Sequence, residues 1–267
     1  MSGLLVGGVL VPVDGVKIVS PGEEPGCSLT SGKDCKPRTN RPQQLILHKT
    51  IADDPEKILA GAGPAGGAKK TADYWRSCDG KTNPYRNAGA HGVTGEDGVV
   101  WNLVDLIKVE VFHATVSNLI SIGWETREVA GGGVYQASLD ATVLTAIAIC
   151  RAVGIQLQVP HSYNGHPLHR MLNGGHDVVG VLGHRDNTEE RGEWDPGNIL
   201  FGMLRAHGAE AFDFANGEDI ATWKARQLSL NAKGHTLTID GIPGPATTAA
   251  LRAEGYIDGI WALGRAA

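Results

Sequence analysis

The sequence predicts a mixed α/β domain reaching to about residue 206, with a small helical module after it. Three observations point that way. Short apolar runs bounded by turn residues end at His48 and at His184, and a helical-period apolar pattern fills Ser138 to Val153. Between residues 207 and 219 the chain becomes poor in large aliphatic residues and rich in Ala, Gly and acids, which predicts a linker.

Taken in order, residues 1–43 read as an extension with a hairpin. VPVDGVKIV sets Asp14-Gly15 between two β-prone runs. The apolar run from Leu4 to Val13 also looks like a short hairpin. It lacks a basic leading segment and contains Gly7, Gly8 and Pro12, so it makes a poor signal peptide. The expectation is synthesis in the cytoplasm without signal-directed export, with action on a cell wall only after release or secretion.

The domain proper is expected over 44–206. QLILHKT reads as a buried strand, Leu45 to Leu47, ending at His48. AHGVTGEDGVVWNLV predicts two strands turning at Glu96-Asp97-Gly98, and SIGWET another strand before Gly131-Gly132-Gly133. Leu139, Val143, Ile147 and Cys150 share one face of a helix with Ser138 as its N-cap, and DVVGVLGH is a strand that delivers His184. Over 220–267, WKARQLSLN and PATTAALRAEG predict two helices around a turn-rich loop, with Pro245 in a first turn and Gly255 as a stop.

Composition excludes several classes of function. A formal charge of −5 and a pI near 6.0 argue against a broad cationic surface for nucleic acid. No run approaches the ~18 to 20 apolar residues that cross a bilayer, so no membrane insertion is expected. Four cysteines, Cys27, Cys35, Cys78 and Cys150, are too few for a disulfide scaffold. Cys27 and Cys35 either bridge within their loop or stay apart, and Cys150 reads as a buried small hydrophobe. A monomer is expected.

Zinc catalysis needs three N, S or O ligands and an open position, often drawn from distant parts of the chain. His48 and His184 each end a strand, and Asp195 lies in the tight turn Trp194-Asp195-Pro196-Gly197. With ten histidines in the chain, such placement alone does not single out a metal site.

The segments LILHKT, AHGVTGEDG, FHATVSNLISIGWE and GHRDNTEERGEWDPG, in that order, resemble the type-2 N-acetylmuramoyl-L-alanine amidase family, which shares its fold with peptidoglycan recognition proteins. The resemblance runs from about residue 43 to 204. It implies a central mixed β-sheet flanked by helices, with zinc (Zn2+) at the floor of an open groove held by His48, His184 and Asp195. It also implies hydrolysis of the amide between N-acetylmuramic acid and L-alanine in bacterial peptidoglycan. Glu125 matches the carboxylate placed beside the activated water, where it would act as general base and then protonate the leaving nitrogen.

His113 and Asn118 match groove positions, with local turn-making as the other reading, and Arg191 is a candidate substrate contact. His91 reads as structural, and His161, His166, His169 and His176 as solvated loop residues. Trp75, Trp101, Trp124 and Trp194 either offer sugar-stacking faces or are buried. Two positions depart from the family. Glu193 stands where many relatives carry a Lys that stabilises the oxyanion, which leaves Arg191 or Arg185 as substitutes, and Ala90 stands where some phage relatives place a Tyr.

The run ATWKARQLSLNAKGHTLTIDGIPGPATTAALRA resembles a small helical peptidoglycan-binding domain, which implies a second grip on the wall. The setting this suggests is a phage or prophage endolysin, with a secreted antibacterial effector as the alternative. A recognition protein that binds peptidoglycan without turnover is the competing function.

Overall fold

The structure is a computed structural model, and it describes residues 2–24, 27, 35–51, 67–77, 89–129, 133–160, 179–187, 195–212, 217–240 and 245–254. The strands are β1 (Leu4–Val6), β2 (Val9–Val11), β3 (Ile18–Val19), β4 (Cys35–Pro37), β5 (Gln44–Ile51), β6 (Gly92–Thr94), β7 (Val100–Asn102), β8 (Val109–Val111), β9 (Ser121–Val129), β10 (Gly133–Val134), β11 (Gln158–Pro160), β12 (Gly180–Gly183) and β13 (Glu210–Phe212). The helices are α1 (Gly67–Ser77), α2 (Gln136–Val153), the short α3 (His184–Asn187), α4 (Asn198–Ala206), α5 (Gly217–Ala232) and α6 (Pro245–Ala253), with a 3-10 turn at Thr115–Ile120.

A mixed seven-stranded sheet forms the centre, in the order β12-β5-β9-β6-β7-β3 with β10 on β9. β12, β5, β9 and β6 run parallel. Strands β5 and β9 are the longest, and their mixture of aliphatic, Trp and Thr residues suits a sheet covered on both faces.

One face carries Leu45, Leu47, Ile122 and Trp124, which pack against Leu139, Val143, Ile147 and Cys150 of α2 and against Ile199, Phe201 and Leu204 of α4. Full burial of each such Leu or Ile contributes about 1.5–3 kcal/mol. Burial pushes the Cys150 thiol up to about 12, so it is an inert hydrophobe. On the other face α1 lays Ala68, Ala72 and Trp75 over Val93, Trp101 and Leu103. Trp75, Trp101 and Trp124 are therefore buried, and the Trp124 indole donates to Thr94 Oγ1 at 3.0 Å.

Several local expectations shift. The hairpin expected within Leu4 to Val13 does form, closing at Gly7-Gly8, both with positive φ, and pairing Leu4–Val6 with Val9–Val11, whereas the one expected at Asp14-Gly15 does not. Asp14-Gly15 forms a turn that instead feeds β3 into parallel pairing with β7. The core helix starts two residues before Ser138. Its N-cap is Tyr135, and the Ser138 hydroxyl, already inside the first turn, donates to Arg127 O at 3.4 Å. Cys27 and Cys35 do not bridge each other: Cys27 packs with Val19 and Trp101, Cys35 with Val104 and Val111.

The stretch 210–212 is a strand paired with β11. Beyond it, Leu230 of α5 and Ala250 of α6 belong to the same buried cluster as α2 and α4. Helix α2 is long and apolar enough by composition to cross a membrane, and here it is the buried core helix.

Candidate metal centre and active site

Three parallel strands in register build the site. Gly183 of β12 pairs with Leu47 of β5, and Leu47 with Trp124 of β9. One step further along each strand stand His184, His48 and Glu125, with His48 and Glu125 directly paired. Only β12 ends at this row: β5 runs on to Ile51 and β9 to Val129, so His48, expected at a strand end, and Glu125 both project from within their strands, where the shorter β12 stops and leaves room for the Asp195 turn.

The row gathers its third ligand through a turn. Arg185 N–H donates to Asp195 O at 2.8 Å, which ties the start of α3 to the Asp195 turn. The Lys49 N–H donates to Asp195 Oδ1 at 2.8 Å, leaving Oδ2 3.1 Å from His184 Nδ1. His184 Nδ1 is in turn 3.0 Å from His48 Nδ1. One ligand atom from each of His48, His184 and Asp195 falls within 4.8 Å of the others. Two buried imidazoles and one half-buried carboxylate, each offering an atom to one point, fit a zinc ion with a position left for water.

The outer contacts of these ligands are specific. His48 Nε2 is 3.0 Å from His113 Nδ1, and His113 Nε2 is 3.1 Å from Ser121 Oγ. Burial, then the nearby His184 and Arg38, push His113 down to about 3, so its ring is neutral. A Cβ at Gly123 would stand 2.4 Å from His113 Cγ, so the ring is seated where only glycine allows it.

Asn118 is buried and spends its Oδ1 on the N–H groups of His113 and Ala114, at 2.8 and 2.7 Å, which fixes the turn that presents His113. His91 is structural: Gly123 N–H donates to its Nδ1 at 3.0 Å, and burial holds its pKa well below the usual range.

Glu125 is half-buried beside His48, with Oε2 inaccessible to solvent. Arg185 is fully buried with its guanidinium 4.9 Å from the centre of the Phe201 ring, a cation–π contact in the core, so it does not offer its charge to the groove. Arg191, Glu193 and Trp194 lie outside the described residues, as do His161, His166, His169 and His176.

Three neighbours of the site carried no signal in the sequence: Ser121, Gly123 and the Lys49 backbone.

The chain resembles solved structures of the endolysin N-acetylmuramoyl-L-alanine amidase LysCS from Clostridium intestinale (14% identity, 72% of this chain and 94% of that one, TM-score 0.42). It also resembles a selenomethionine derivative of AmpD (17% identity, 75% and 98%, TM-score 0.43) and the Drosophila peptidoglycan recognition protein SD (12% identity, 75% and 99%, TM-score 0.47). No curated protein matches the chain. The family described as N-acetylmuramoyl-L-alanine amidase matches residues 38–198. That span is more than half of the chain and holds His48, His113, Glu125, His184 and Asp195, so the chain belongs to the type-2 N-acetylmuramoyl-L-alanine amidase family.

Proposed function

We propose that the protein is a zinc-dependent hydrolase that cuts the amide between N-acetylmuramic acid and L-alanine in bacterial peptidoglycan. The observation that carries this reading is the convergence of His48 Nδ1, His184 Nδ1 and Asp195 Oδ2 next to Glu125. When bound there, zinc supplies the Lewis acidity that acidifies a water and polarises the scissile carbonyl.

The chain's own residues do the rest. His48, His184 and Asp195 would hold the ion with two imidazoles and a single carboxylate, a donor set with little negative charge that would keep the site electrophilic. Glu125, on the strand beside His48, takes the proton from the attacking water and passes it to the amide nitrogen, without which the amine does not depart. Buried Trp124 and Leu47 lock the backbone of β9 and β5, so the base and the ligand keep their separation through the reaction.

The C-terminal helices resemble a peptidoglycan-binding module, and with them we read the protein as a wall hydrolase of the endolysin kind. Digestion of purified peptidoglycan followed by mass spectrometry tests the activity. Stem peptides with free L-alanine amino termini, formed with zinc and absent after chelation, are the expected products. Tight wall binding with no new amino termini would leave only recognition.

A further inference from the structure

His113 lies in a chain of hydrogen bonds whose direction is fixed from its far end. Ser121 has one hydroxyl proton, and its Oγ donates to Ser117 O at 2.6 Å, a separation too short for two oxygens without a hydrogen between them. At the contact between Ser121 Oγ and His113 Nε2, 3.1 Å, the imidazole must therefore donate. A neutral ring with its proton on Nε2 has a bare Nδ1. That Nδ1 faces His48 Nε2 at 3.0 Å, and two nitrogens at this distance need one proton, which only His48 can supply. His48 then carries its proton on Nε2, and the lone pair on Nδ1 faces His184 Nδ1 and Asp195.

We propose that His113 is a positioning residue for the metal centre: relaying from Ser117 and Ser121, it fixes the tautomer and ring angle of His48 so that Nδ1 is the ligand atom. This rests on the reading that His48, His184 and Asp195 hold zinc.

Three further observations support the relay. The His48 and His113 rings meet edge to face, with centroids 5.1 Å apart and planes at 82°, which aims one ring's edge at the other. The backbone of His113 is pinned by Asn118 Oδ1, and the ring lies against Gly123, so little freedom is left in its position. Both ring nitrogens of His113 are engaged inside the protein, which gives the ring to the ligand behind it and leaves the groove to other side chains. Outer partners of this type orient a metal-binding imidazole and raise its basicity, and their loss typically weakens metal binding about 10- to 100-fold.

The test titrates the full chain, stripped of metal, with Co2+ as a coloured stand-in for zinc, and reads affinity and the visible absorption bands. His113→Phe keeps the ring and removes both nitrogens. It should weaken Co2+ binding about 10- to 100-fold and alter the bands. His113→Asn, whose Oδ1 offers an acceptor near the place of Nδ1, should restore binding to within about threefold.

Nitrogen NMR of the histidines in the metal-free wild-type protein should show His48 and His113 both protonated on Nε2, a readout that needs no variant to fold. A His48 proton on Nδ1, undiminished Co2+ affinity in His113→Phe, or failure of His113→Asn to restore what His113→Phe loses would each overturn the relay alone. A wild-type chain that binds no Co2+ would overturn the metal reading and this proposal with it.

Discussion

Lys49 links Glu128 to Asp195: its Nζ lies 3.8 Å from the buried Glu128 Oε2, while its backbone N–H donates to Asp195 Oδ1 at 2.8 Å. Burial pushes the Glu128 carboxyl up to about 8, against the pull of Lys49. The folded protein therefore keeps a proton on Glu128 that the unfolded chain releases near 4.5. Stability from this group is fully present below that value and is lost as pH rises towards about 8, at up to about 1.4 kcal/mol per pH unit. Glu128→Gln should remove the dependence. Urea unfolding at pH 5 and pH 8 measures it, and equal slopes in the two proteins would contradict the prediction.

Asp195 ties its turn to β5 through Oδ1 and, in the proposed zinc site, offers Oδ2 as the ligand oxygen. Asp195→Ala should lose zinc and activity together, whereas Asp195→Cys, which offers another sound ligand atom, should retain metal. Metal content by mass spectrometry, measured beside wall digestion, checks both variants.

Glu125→Gln is close to isosteric and cannot accept the proton. Turnover should fall about a hundredfold to ten-thousandfold with zinc content unchanged. A variant that kept full activity would remove Glu125 from the reaction.

Gly123→Ala places a methyl group 2.4 Å from His113 Cγ. The ring must move or the strand must shift, at a cost of about 1–3 kcal/mol, and thermal unfolding should register it.

Leu230 is buried at 3% exposure in the main core although it belongs to the C-terminal helices. Leu230→Ala should cost about 2–5 kcal/mol and lower the melting temperature of the amidase domain itself. Melting followed through the buried Trp124 reports that directly.

Much of the strand plan was legible because its residues carry a periodic or turn signal: Leu45 to Leu47 before His48, the Glu96-Asp97-Gly98 turn, and the apolar face of the core helix. The grouping of His48, His184 and Asp195 was legible through motif order, since nothing local in His48 distinguishes it from nine other histidines. The relay from Ser121 to His48 was not legible. It depends on a Gly123 that makes room for a ring from a preceding turn, and on which proton a hydroxyl gives away. Neither leaves a mark in composition or period. Of the two N-terminal hairpins read from the sequence, the one within Leu4 to Val13 forms and the one at Asp14-Gly15 does not, because both places hold good turn formers and only the parallel pairing of Ile18-Val19 with Val100-Trp101 decides between them.

The insertion of Leu230 and Ala250 into the same oily interior as the sheet gives the C-terminal helices the mechanics of a bracket. A leash lets an enzyme graze wherever slack permits. A bracket fixes the span between two surfaces, so under the proposed reading of these helices as a wall-binding module each docking event would present the groove to bonds at one set interval along the murein mesh.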